Sequence, residues 1–357
     1  MKFKKNLLRI ITSTALVTGN LGLEIYGVPG PKTKNLMIYS NYAYLTDKTI
    51  NTRTTLDYVE AYHGTSYSYH FYPRVDLNKE YNETTDTWPH LSRLLREAQK
   101  RGIDIWVTFE NPINYQNGYH GLSGRKMLYK EWIASLAKLS KIYPIFKGVI
   151  IDDFGENNYW ANAKKWKDIN GNHLFTPEYL SELKTLKNQQ NPNYKFYVVL
   201  YWGNLFHPGF ERRKQYIDGL VYPYMDASKA RGPCDESLRG SDYYEGDGCD
   251  DWGPYNTRYW DTFNSEIRAV KSKLIENQDL LTCVYVTKHS KLKRANETYL
   301  DIVLRKGIEQ TDGIYAFTLI RTAKIFNETF CDNLRISESQ VNKNACVLKK
   351  VFSEYNP

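Results

Sequence analysis

Phe146-Lys147-Gly148-Val149-Ile150-Ile151-Asp152-Asp153 is the stretch whose reading decides the fold. A near-continuous apolar run of this length, opened by a glycine and closed by charge, is the signature of a strand buried on both faces. The same opening recurs. Lys147-Gly148, Asp218-Gly219 and Asp312-Gly313 each lead directly into an apolar run. Counting along the chain, they begin strands four, six and eight. Glycine there allows a tight turn into a doubly buried strand. Strands buried on both faces are parallel strands covered by helices, so the stretch implies an α/β architecture.

Working outward, short apolar runs alternate with longer amphipathic ones. Leu36-Met-Ile-Tyr-Ser, Tyr67-Ser-Tyr-His-Phe-Tyr and Ile103-Asp-Ile-Trp-Val-Thr-Phe read as the first three strands. Phe196-Tyr-Val-Val-Leu-Tyr, Leu220-Val-Tyr-Pro-Tyr, Thr282–Thr287 and Ile314–Leu319 read as the last four. Helices are expected over Trp88–Arg101, Lys126–Ile142, from Thr176-Pro177-Glu178 onward, over Thr262–Glu276 and over Glu297–Glu309. Thr176 is placed to cap its helix, with Pro177 in the first turn and Glu178 near the dipole. Only a short, weakly helical segment, Glu211–Ile217, joins strands five and six. Eight such strands close into a (β/α)8 TIM barrel. A doubly wound sheet is the rival, but no Gly-x-Gly-x-x-Gly follows the first strand. The organisation expected is a signal peptide or leader over 1–35, a barrel over 36–320 and a C-terminal extension over 321–357 packed on the barrel.

In such a barrel the active site lies at the C-terminal strand ends. These ends supply Tyr39 and Asn41, then His70, Arg74 and Asp76, then Glu110 and Asn111. Strand four supplies Asp152, Asp153, Glu156 and Asn157, and strand five Tyr201, Trp202 and Asn204. Strand six supplies Tyr222, Tyr224 and Asp226, strand seven Lys288 and His289, and strand eight Tyr315 and Phe317. Three carboxylates within five positions, Asp152, Asp153 and Glu156, are the sharpest feature. Like charges this close disfavour double ionisation and raise one pKa. A raised carboxyl beside an ionised one is the acid and carboxylate pair that glycoside cleavage needs. The same cluster also suits a solvated loop or a calcium site. Tyr222, Tyr224 and Asp226 share one strand face, and if that face points inward Tyr224 and Asp226 reach the mouth. Tyr201-Trp202 can form a stacking wall or pack under a loop. Tyr39, Glu110 and Phe317 complete the expected substrate contacts. No cofactor and no metal are expected, and no second acid or His sits at ligand spacing to Lys288 or His289.

At these residues the chain resembles (β/α)8 glycoside hydrolases. The pair Asp152-Asp153 is similar to the paired aspartates of O-GlcNAcase-type hexosaminidases, and Tyr224-Met225-Asp226 to the Tyr-Asp element of chitinase-like enzymes. The resemblance implies substrate-assisted hydrolysis of N-acetylated sugars. Asp152 would orient the acetamido nucleophile, Asp153 would protonate the leaving group, and Tyr224 and Asp226 would hold the acetamido group. The chitinase pattern Asp-x-x-Asp-x-Asp-x-Glu is absent, because Glu156 stands three residues after Asp153 rather than two. That leaves the acid open between Asp153 and Glu156.

Composition narrows the partners. The 357 residues carry a net charge of +8 and 15% aromatic residues, with 30 Tyr, 14 Phe and 8 Trp. Six cations and one carboxylate fall within residues 1–35, which leaves the body at +3 with no Lys/Arg block. This argues against a nucleic-acid partner. No apolar stretch is long enough to span a membrane. The aromatic surplus suits a carbohydrate ligand, with a flat apolar face and polar edges, or a Tyr-rich core. A monomer is expected. Met1-Lys-Phe-Lys-Lys followed by the apolar Ile10–Val17 has the order of a secretory signal, although no Ala-x-Ala site follows. Asn-Glu-Thr sequons stand at Asn82, Asn296 and Asn327. Of five cysteines, Cys283 lies in an apolar run, while Cys234/Cys249 and Cys331/Cys346 form two pairs with equal spacing in polar stretches. Two local disulfides and a secreted protein follow. The leading expectation is a secreted glycoside hydrolase. The alternative is a non-catalytic carbohydrate-binding protein on the same barrel.

Overall fold

The structure, a computed structural model, describes residues 34–40, 50–71, 87–109, 119–122, 125–152, 154, 175–224, 263–287, 295–317, 323–327 and 329–356. Eight strands form a closed barrel: β1 (Asn35–Tyr39), β2 (Ser66–Phe71), β3 (Asp104–Phe109), β4 (Phe146–Ile151), β5 (Lys195–Val199), β6 (Gly219–Pro223), β7 (Asp279–Tyr285) and β8 (Gly313–Phe317). Every neighbouring pair is parallel, and β8 returns to β1. Helices α1 (Thr52–Ala61), α2 (Thr87–Arg101), α3 (Tyr129–Ser140), α4 (Pro177–Gln190), α5 (Phe263–Lys271), α6 (Glu297–Gln310) and α7 (Gln340–Tyr355) lie outside the barrel. The fold expected from the sequence is therefore present. Thr176 caps α4 by accepting a hydrogen bond from the Tyr179 amide at 3.2 Å, and Asn296 caps α6 by accepting from Tyr299 at 2.8 Å.

Two local expectations change. The expected Lys126–Ile142 helix starts at Tyr129, because Arg125–Leu128 pairs with Tyr119–Leu122 in an antiparallel hairpin. The β5–β6 connection holds the short turns Trp202–Leu205, Pro208–Glu211 and Lys214–Tyr216. The segment after β8 packs on the helix layer. Helix α7 packs on α6, and Arg305 of α6 pairs with Glu354 of α7. The turn Ala323–Phe326 packs on α1, with the Tyr58 and Phe326 rings 4.7 Å apart. At the far end, the Asn356 side-chain amide donates to the His63 carbonyl at 3.1 Å. Residues 323–356 thus fill the place between α6 and α1 in the helix layer. Cys331 and Cys346 are bonded, with Cα atoms 5.4 Å apart, and Cys283 is a buried free thiol. Cys234 and Cys249 lie outside the described residues.

The register settles which side chains face inward. One ladder row runs Thr108–Ile150–Tyr197–Gly219–Asp279. Tyr197 reaches across β6 to hydrogen-bond Asp279 at 2.5 Å, and its ring lies 4.5 Å from that of Trp106 across β4. Both contacts span an intervening strand, so these residues are inside the barrel. Gly219 and Gly148 are the glycines they cross. A methyl on Gly219 would lie 2.4 Å from the Tyr197 ring, and one on Gly148 2.5 Å from the Trp106 ring. The glycines read from the sequence as strand-opening turns are in fact close-approach positions. Gly313 is the exception, since its φ of 155° also demands glycine.

Candidate active site

The inward row continues to the C-terminal rim. On β4 the inward residues are Gly148, Ile150 and Asp152, and the Asp152 amide extends the ladder by donating to the Phe109 carbonyl at 3.0 Å. Asp152 is half-buried at the mouth. Tyr39 of β1 and Phe317 of β8 stack at 4.9 Å, and Tyr39 also stacks on Tyr315 at 5.4 Å. Tyr285 of β7 meets the Phe317 ring edge-on at 5.2 Å. On the β2 side, the Tyr39 hydroxyl and His70 Nδ1 share a hydrogen bond of 3.0 Å. The result is an aromatic wall from β1, β7 and β8, on the same rim as a carboxylate from β4. Such a wall matches the apolar face of a sugar ring.

Beneath the wall runs a chain of hydroxyls. Ser68 bonds Thr108, and Thr108 bonds the Tyr315 hydroxyl at 3.1 Å. Burial pushes the Tyr315 phenol well above the ordinary tyrosine value, and the charge of Asp152 pushes it in the same direction. The two groups therefore lie within electrostatic reach of each other. Tyr315 stays protonated at neutral pH.

The expected site residues divide. Tyr39, Asp152 and Phe317 are brought to the inner face of one rim, and Tyr201 follows β5 at the same end, 9% exposed. Trp202 opens the next turn, and its ring packs on Phe206 at 4.2 Å. It takes part in the packing of the β5–β6 connection. Tyr224 is the correction. On β6 the inward residues are Gly219, Val221 and Pro223, so Tyr222 and Tyr224 face the helices. The Tyr222 hydroxyl donates to the buried Glu266 of α5 at 2.5 Å, and the Tyr224 ring packs on Phe263 of α5 at 4.7 Å. Tyr222 and Tyr224 do share a face, but it is the outer one. Asp153, Glu156, Glu110 and Asp226 lie outside the described residues, as do Lys288 and His289. Sequence reading missed Tyr285, Ser68 and Thr108. Register with Phe317 is the signal for Tyr285, and it exists only once the strands are paired.

No family model matches the chain, and no curated protein matches it. Solved structures match it in fold. Active domain 2 of a chitinase from Pyrococcus furiosus, solved as catalytic-site mutants, aligns over 91% of this chain and 97% of its own. Its identity is 9% and the TM-score 0.50. A β-galactosidase from the psychrophilic Marinomonas ef1 aligns over 88% of this chain and 59% of its own, at 9% identity and a TM-score of 0.53. At this identity the likeness is one of fold. The chain is a closed (β/α)8 barrel, similar in fold to a chitinase domain and to a β-galactosidase.

Proposed function

We propose that the protein is a glycoside hydrolase acting at the C-terminal mouth of the barrel through carboxylate acid/base catalysis. The observation that carries this reading is the placement of Asp152. It faces inward at the end of β4, within electrostatic reach of Tyr315 and on the same rim as the stacked Tyr39 and Phe317. The fold likeness to a chitinase domain and a β-galactosidase adds support for a glycosidic substrate, though not for one sugar. In this reading the aromatic wall binds a sugar ring. Asp152 remains ionised and stabilises the positive charge that develops at the anomeric carbon, or orients an acetamido nucleophile. The neighbouring Asp153, with Glu156 as the other candidate, protonates the departing oxygen. The outward packing of Tyr224 leaves the N-acetyl preference resting on the Asp152-Asp153 pair and on Asp226, which lies outside the described residues.

A second reading, a carbohydrate-binding protein without catalysis, draws on the same stacked rings. Secretion is part of the proposal, with the Cys331–Cys346 disulfide as its structural support. A screen of chromogenic glycosides and polysaccharides, run beside glycan-array binding, separates the readings. Turnover of at least one glycoside supports the hydrolase. Glycan binding with no turnover across the screen favours the binding protein.

A further inference from the structure

Helix α7 carries a buried polar residue that the proposed chemistry does not use. Asn344 is 0% exposed. Its side-chain amide donates to the Val286 carbonyl at 2.7 Å and to the Ala295 carbonyl at 2.9 Å. Its own oxygen accepts from Gln340 at 2.8 Å. One NH2 group thus ties together the end of β7 and the start of the path into α6. The Val286 amide in turn donates to the Phe317 carbonyl at 3.2 Å, and Val286 follows Tyr285 directly. Tyr285 and Phe317 are the two rings that meet edge-on in the wall. From Asn344 the path to these rings is therefore one hydrogen bond, one peptide and one more hydrogen bond.

The anchor of this arm is firm. Two residues along α7, Cys346 is bonded to Cys331. Gln340 also donates to Glu297 in the first turn of α6 at 3.2 Å, and Lys343 pairs with the same carboxylate at 3.7 Å. Asparagine suits the position chemically. Two carbonyls need two donors from one nitrogen, and Gln340 needs an acceptor beside it. A buried amide with all of its partners made holds a single geometry.

We propose that Asn344 is a positioning residue for the substrate wall, holding Tyr285 and Phe317 in register through the Val286 carbonyl. The residue touches no substrate. The kinetic consequence rests on the glycosidase reading, whereas the structural consequence does not.

Asn344→Asp tests it in the full chain. The volume is kept, both donors are lost, and carboxylate oxygens are set against two carbonyl oxygens. Amide hydrogen exchange followed by mass spectrometry should quicken in peptides covering 279–287 and 313–317. Peptides covering β2 and β3 should keep their protection. On a glycoside that the wild type turns over, KM should rise about tenfold with kcat within about twofold, the pattern of lost binding rather than lost chemistry. Gln340→Ala, which removes the donor to the Asn344 oxygen together with the Glu297 contact and leaves both Asn344 donors in place, should give the same pattern at smaller size, and it decides the matter if Asn344→Asp does not fold. Unchanged exchange at β7 and β8, or an equal rise over every strand, overturns the proposal, as does a fall in kcat with KM unchanged. If no glycoside is turned over by the wild type, the glycosidase reading fails and the exchange pattern alone decides the role of Asn344.

Discussion

Replacing Gly219 by Ala tests the inner-face register on which the site depends. An alanine methyl there would lie 2.4 Å from Cε1, 2.7 Å from Cδ1 and 2.8 Å from Cζ of Tyr197. The ring has little room to retreat, since its hydroxyl is bonded to Asp279 at 2.5 Å and its face lies against Trp106. Gly219 is itself held in the ladder between Tyr197 and Asp279. Where the conformation allows it, Gly→Ala stabilises by about 0.4–1 kcal/mol through the unfolded chain. Overpacking a core costs about 1–3 kcal/mol, and with both sides of this contact fixed the upper end applies, about 3 kcal/mol. In a Tyr197→Leu background the clash is gone and the cost of Gly219→Ala should fall below about 1 kcal/mol, a coupling of roughly 2 kcal/mol. Urea unfolding followed by circular dichroism, at constant m, reads all four corners of the cycle. A neutral Gly219→Ala, or strict additivity, would mean that Gly219 does not face Tyr197. The β6 parity would then reverse and Tyr224 would return to the mouth.

Other perturbations give equally direct readings. Reducing the Cys331–Cys346 bond, which spans 15 residues, should lower stability by about 3 kcal/mol, the loop-entropy value for that span, read as a shift in urea midpoint. Lys187, with its side chain 1% exposed, lies 3.0 Å from Asp218 and donates to the Tyr194 carbonyl at 2.5 Å. Lys187→Met should cost about 3 kcal/mol, the low end for breaking a buried pair, because Asp218 keeps some solvent and the Phe196 amide. Burial, opposed by Asp218, holds the Lys187 pKa below the ordinary 10.5. The unfolded chain therefore carries the extra proton between the lowered value and 10.5, and this group's contribution to stability grows as pH rises through that window. The wild-type curve should rise relative to that of Lys187→Met only there, widening the gap between them as pH increases, and parallel curves across the window would refute the assignment.

The barrel was legible in the sequence because its strands are nearly pure apolar runs, and Phe146–Ile151 shows this best. The same purity hid the orientation. A strand buried on both faces has no polar alternation, so the tyrosines of β6 gave no hint of which way they point. Gly219 held the clue, since a missing side chain inside the barrel leaves Tyr222 and Tyr224 outside. The segment of helix α7 read as an extension packed on the barrel, with no helix assigned, because it follows the eighth strand at a distance. Yet Ala345, Leu348, Val351 and Phe352 are fully buried and give it the inner stripe of a barrel helix. Asp152, Tyr39 and Phe317 could be named because strand ends are where barrels work. Ser68 and Thr108 could not, because a small hydroxyl inside a strand becomes a network only when three strands meet.

The central claim, that Asp152 serves chemistry at the mouth, is tested most directly by turnover of an aryl glycoside by Asp152→Asn beside the wild type. Binding of the unreactive product sugar is measured on both proteins as a control. The account predicts a fall in kcat of about 10²-fold or more, of the size that loss of a carboxylate acting in the transition state produces, with sugar affinity retained. Undiminished kcat in Asp152→Asn would contradict it.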